Sequence, residues 1–104
     1  MPTILKARNE ANAVTSTVIS MWDSTLFSFL NDNHIHDLVE IDHEEHELDD
    51  GTSLFTTTYE CDFAGFEAAV NDNDADETAI NDMRLLVADG TAAGASKLVI
   101  VQHS

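Results

Sequence analysis

The residues best suited to chemistry lie between His34 and Phe55, where "HIHDLVEIDHEEHELDDGTSLF" holds four histidines and eight carboxylates in 22 positions. Imidazoles with carboxylates make a transition-metal donor set, and carboxylates alone attract hard divalent cations. Spacing decides between them. His43 and His46 are three apart, which brings two ligands together on a helix and sends them to opposite faces of a strand. "HEEHE" also departs from the zinc-protease pattern H-E-x-x-H, whose histidines sit four apart. On a strand His36 and His46 share a face but lie about 33 Å apart at about 3.3 Å per residue. Only His34 with His36 keeps bidentate reach. The segment therefore reads as a solvated acidic hairpin with loosely associated divalent cations, and neither a transition-metal site nor a cofactor is expected.

Two other motifs come close to ligand sites and miss. "NDNDAD" opens like a calcium loop through Asp72, Asp74 and Asp76, but no glycine follows and the twelfth position is Met83 rather than a bidentate Glu. "GTAAGAS" lacks the lysine and the strand-loop-helix setting of a phosphate loop. Cys61 is the sole cysteine, so no intrachain disulfide forms, and it reads as a small buried hydrophobe. No catalytic set emerges, and the expectation is a protein that is not an enzyme.

The elements that carry these residues follow from periodicity. Ala7, Ala11, Val14, Val18, Trp22, Leu26 and Phe29 recur at steps of three and four, which predicts a helix over residues 4–30. Ile19, Phe27 and Leu30 widen its apolar stripe, while Thr15, Thr17, Val18 and Ile19 are β-branched and weaken helix propensity. "NDNH" stops it. For the hairpin, a three-residue Asp49-Asp50-Gly51 loop with Gly51 left-handed pairs Leu48 with Thr52. Ile41 then faces Tyr59 and Val39 faces Cys61, with Ile35, Phe55 and Phe63 on the same buried face. The opposite face collects His36, Glu40, Asp42, Glu44 and His46. A two-residue Asp50-Gly51 loop would mix the faces.

Beyond Phe63 the helical period returns. "AGFEAAV" makes two turns, and "DETAINDMRLLVADG" is a helix with Ala79, Ile80, Met83, Leu86 and Val87 buried, Asp74 and Glu77 as a capping box and Gly90 as its stop. "KLVIVQ" is a final strand. Leu98 and Ile100 point one way, Val99 and Val101 the other, so one pair needs cover outside the helix-covered core. The cover is the N-terminal helix, the "TAAGAS" loop or another chain. The fold class is α+β: an N-terminal helix, an antiparallel hairpin, one or two helices and a C-terminal strand completing a small sheet with one helix-covered face. A chain of 104 residues is read as a single domain, 1–104.

Twenty Asp and Glu against four Lys and Arg give a net charge of -16. Repulsion of that size opposes the compact state. Direct nucleic-acid binding is not expected, because Lys6, Arg8, Arg84 and Lys97 are too few and too scattered to replace condensed counterions. No bilayer-spanning stretch and no signal-peptide core is read, which points to a cytoplasmic or virion location. The order helix, strand, strand, helix, strand loosely resembles that of small head-tail joining and tail-terminator proteins. The expected function is a structural assembly protein, homo-oligomeric or virion-type (capsid decoration, neck or tail joining), adapted to salt. Its interface is assigned to Trp22, Phe27, Leu30, Leu98, Val99, Ile100 and Val101. The alternatives are an acidic mimic of nucleic acid that occupies a basic groove, and a metal binder built on His34, His36, Glu44 and His46.

Overall fold

The computed structural model describes residues 2–11, 13, 14 and 17–103. The elements run β1 (Pro2–Arg8), β2 (Ile19–Trp22), α1 (Asp23–Asp32), β3 (Val39–Glu47), β4 (Ser53–Asp62), α2 (Phe63–Asn71), α3 (Thr78–Ala92) and β5 (Lys97–His103). The five strands form one antiparallel sheet in the order β2-β1-β5-β4-β3. The α+β class stands, with more strand than the sequence suggested.

The largest difference is at the N-terminus, where the helix predicted over 4–30 is two strands followed by a helix that begins at Asp23. Strand alternation is present after all: Thr3, Leu5 and Ala7 are buried, and Ile4, Lys6 and Arg8 lie on the other face. Ile4 blurs the polar half of that pattern, and Ala7 happens to sit on the helical stripe as well. The β-branched Val18 and Ile19 fit a pleated strand better than a helix. Val14, Val18 and Trp22, placed on a buried stripe by the helical reading, are exposed. Thr15 lies outside the described residues.

Register builds the core. Ile19, Leu5, Ile100 and Tyr59 form one row across four strands, and Ala7, Leu98 and Cys61 form the next. Against this face pack Leu26, Phe29 and Leu30 of α1, Phe66 and Val70 of α2, and Ile80, Met83, Leu86 and Val87 of α3. Thr3 is the buried polar residue of this layer. Its hydroxyl donates to the Asp23 carboxylate, which also accepts from Gln102 Nε2 at 3.3 Å. Asp23 thereby sits in the first turn of α1, where a negative charge complements the helix dipole.

The hairpin turn is the three-residue loop. The Leu48 N–H donates to the Thr52 carbonyl at 2.7 Å, the Gly51 N–H donates to the Leu48 carbonyl at 3.0 Å, and Gly51 has φ +86°. The Thr52 hydroxyl and N–H both donate to Asp50, holding its carboxyl below the usual range. Pairing follows the expected register from Glu47 opposite Ser53 to Asp42 opposite Thr58, and then shifts at Ile41. Beyond this bulge Glu40 faces Tyr59 and Val39 faces Glu60. The expected pairs Ile41–Tyr59 and Val39–Cys61 are therefore corrected. One extra residue on β3 moves its apolar positions off the core face: Tyr59 is half-buried and Cys61 buried, whereas Val39 and Ile41 are exposed. A Cβ at Gly51 would meet nothing within 4 Å, so Gly51→Ala is expected to cost about 1 kcal/mol through backbone conformation alone. Equilibrium urea unfolding checks this, and an unchanged midpoint would count against the left-handed turn.

Two helix boundaries also differ from the sequence reading. α3 begins at Thr78 without a side-chain cap because the chain before it wraps Arg84. The Arg84 guanidinium donates to the carbonyls of Asn73 at 2.7 Å and Ala75 at 2.8 Å, so the Asp74–Glu77 capping box does not form. At the other end the helix runs through Gly90 to Ala92. Gly94, at φ +77°, supplies the left-handed stop, with the Ala95 N–H donating to the Gly90 carbonyl at 2.9 Å and the Gly94 N–H to Thr91 at 3.3 Å.

Candidate interface on the helix-free face of the sheet

All three helices pack on one side, so the residues that alternate with the core positions form a helix-free face. β1 contributes Ile4, Lys6 and Arg8, β5 contributes Lys97, Val99 and Val101, and β4 contributes Thr58, Glu60 and Asp62. Three of the chain's four Lys and Arg therefore lie on this one face. Arg8 reaches across β5 to Glu60, with Nε 2.7 Å from the carboxylate, and the two side chains are 18% and 16% exposed. The pair lies over Val99, which is only 5% exposed although it points away from the helices. A hollow of about 210 Å³ beside it is lined by Lys6, Arg8, Val14, Val99 and the bulged Ile41. Val99 is thus enclosed within the chain itself, beside Lys6, Arg8, Val14 and Ile41 rather than under a helix or the "TAAGAS" loop, whereas Val101 remains half-buried. Lys97 pairs with Asp62 at 2.7 Å, which raises its pKa.

The seven residues assigned to an interface separate into three groups by burial. Leu30, Leu98 and Ile100 are consumed by the chain's own core, and Val99 lies beneath the Arg8–Glu60 pair. Phe27 and Val101 are half-buried. Trp22 is 66% exposed and Val18, just before β2, is 54% exposed, while Val39 and Leu85 elsewhere on the surface reach 61%. The sequence reading put Trp22 on a helix, whereas it ends strand β2. It missed the exposure of Val18 and the Arg8–Glu60 pair; a two-residue period over residues 3–8 would have put Arg8 on the face opposite Leu5 and Ala7, but not shown its partner.

The histidines do not converge. His34, at φ +58°, and His36 lie in the turn before β3 rather than on the strand, with ring centroids 6.3 Å apart. His43 stacks on Phe55 at 5.7 Å and its Nδ1 lies 2.9 Å from the Thr57 hydroxyl, while His46 occupies the other face of β3. Among the described residues no three His, Cys, Asp or Glu side chains gather as a metal site. Cys61 is buried under the helices, and burial pushes its thiol up to about 12. Among the described residues no helix is long and apolar enough to cross a membrane.

Comparisons with protein-family models, with curated proteins and with solved structures find no match to this chain.

Proposed function

We propose that this protein is a non-enzymatic assembly component that works as a homo-oligomer or within a larger protein particle, of the virion type represented by capsid decoration, neck or tail joining. The observation that supports this reading is the exposure of both Val18 and Trp22 along the edge strand β2 and its approach, a stretch without charged residues, in a chain whose charge of -16 would otherwise keep copies apart. Large apolar side chains left together at a strand edge mark association surfaces. The acidic surplus suits saline surroundings, where screening within about 8 to 10 Å removes most of the repulsion between copies.

Light scattering after size exclusion, at low and high salt, tests the reading. An oligomer whose population grows with salt is expected, and Trp22→Ala should weaken it while leaving the hairpin intact. A clean monomer at all salt concentrations would sink the assembly role. One observation favours a second reading, the acidic mimic. All nine residues of β3 are exposed, and its five carboxylates have no Lys or Arg partner among the described residues. Binding of the monomer to a basic nuclease, competed away by DNA, would support it.

A further inference from the structure

Among the described residues the sheet has two free edges, β2 and β3, and each offers unpaired backbone groups to another strand. They differ sharply in charge. β3 carries Glu40, Asp42, Glu44, Glu45 and Glu47 on an exposed strand interrupted by the Ile41 bulge. A second β3 laid beside it would set carboxylates against carboxylates along a broken ladder. β2 lies at the end of residues 11–22, "ANAVTSTVISMW", the longest run in the chain without a charged residue. The carboxylate that follows, Asp23, is turned inward to Thr3 and Gln102.

The β2 edge is also complementary to itself. Ile19 and Met21 are buried on the helix-covered face, so Val18, Ser20 and Trp22 alternate onto the other. An antiparallel pair with its twofold axis at Ser20 sets opposite one another residues whose numbers sum to 40. Val18 then meets Trp22 of the second copy, twice over, and Ile19 meets Met21, so both sheet faces continue across the junction. A twofold at Met21 would instead put Asp23 opposite Ile19. The available length matches, because beyond Val18 the backbone is already engaged: the Thr17 N–H donates to Asp89 on α3 at 3.3 Å. A hollow of about 400 Å³ lies beside this stretch, between β2 and the helices. It is bordered by the consecutive residues Ser20, Met21 and Trp22 and by Thr78, Ala79 and Asp82 of α3.

We propose that two copies of this chain pair antiparallel through β2, centred on Ser20, to make a continuous ten-stranded sheet with all helices on one face. This rests on the assembly reading and names the surface for it. Charge geometry agrees. In such a dimer the two acidic β3 strands lie at opposite ends, nine strand spacings or about 43 Å apart at about 4.8 Å each, well beyond a Debye length of about 8 to 10 Å.

Ser20→Cys is the direct test, since directly opposed Cα atoms of an antiparallel pair are about 4.5 to 5.5 Å apart, within disulfide range. The native Cys61 is buried and its thiol held protonated, so it does not compete. Mild oxidation should convert the Ser20→Cys chain to covalent dimers on a non-reducing gel, while Ser28→Cys on the exposed surface of α1 stays monomeric. Val18→Asp should weaken association on the order of a hundredfold, about tenfold for each of the two symmetry-related contacts, and adding Trp22→Lys should restore it. An oligomer that persists with Val18→Asp and does not cross-link through position 20 would overturn the β2 pairing and leave assembly through another surface. Cross-linking as fast from position 28 as from position 20 would overturn it too. A wild-type monomer would remove both the pairing and the assembly reading.

Discussion

Phe66→Ala is expected to lower the free energy of unfolding by about 3 to 5 kcal/mol, the range for truncating a fully buried aromatic ring. Phe66 has no exposed surface and meets Phe29 edge-on, with centroids 5.9 Å apart and planes at 73°. The ring ties α2 to α1 above the sheet, so its loss combines a transfer term, a cavity and an aromatic contact. Denaturant unfolding followed by circular dichroism measures it. Phe66→Leu, which keeps most of the volume, should cost less than half as much. A change below about 1 kcal/mol for the alanine variant would mean that the site collapses without penalty, and that the helical layer is packed far less tightly than the burial of Phe66 requires.

The second large effect is expected at Gly90, where two opposed terms can be weighed. Alanine in a helix interior is favoured over glycine by about 1 kcal/mol. A Cβ at Gly90, however, would lie 2.8 Å from Phe63 Cζ, 3.1 Å from Cε2 and 3.3 Å from the Ala7 Cβ. Phe63 is itself buried, with its ring held between α3 and the sheet. It has nowhere simple to go, and overpacking of this kind costs about 1 to 3 kcal/mol. Gly90→Ala is therefore expected to be net destabilising despite the better helix former, and Gly90→Leu more so. A midpoint that rises in Gly90→Ala would show that the ring yields freely and that propensity wins. Gly90 is thus present for close approach of helix to sheet, and the helix stop is four residues later at Gly94.

What could be read in the sequence depended on whether one local pattern had a single interpretation. The stripe of Ile80, Met83, Leu86 and Val87 has no competing strand pattern, and all four side chains are buried in α3. Asp-Asp-Gly flanked by alternating residues predicted the turn, and the pairing holds as far as Asp42. The shift at Ile41 was invisible because a bulge depends on the partner strand, and nothing in "VEIDHEEHE" marks which residue is extra. The N-terminal segment failed for a different reason. Positions 7, 11, 14, 18 and 22 satisfy a helical period, while 3, 5 and 7 satisfy a strand period over too short a run to outweigh it. Tertiary pairing with β5 decided in favour of the strand. At the candidate interface, the candidacy of Trp22 was legible from its size. That Leu30, Leu98 and Ile100 would be used inside the chain was not, because an apolar residue carries no mark of which surface it will meet.

The strand order β2-β1-β5-β4-β3 has a consequence for how the chain reaches its folded state. Strands β1 and β2 form one antiparallel unit and β3 and β4 another, each closed by local sequence, but the two units never pair with each other. They meet only through β5, which inserts between β1 and β4. The fifth strand along the sequence is thus the central one of the sheet, and the hydrophobic rows of the core become continuous only when Leu98 and Ile100 arrive. Such non-local closure is expected to make folding slower than that of a helical bundle of the same length. Until that step, β1 and β4 each keep an unpaired edge in the middle of the future sheet, an opening for pairing with another chain.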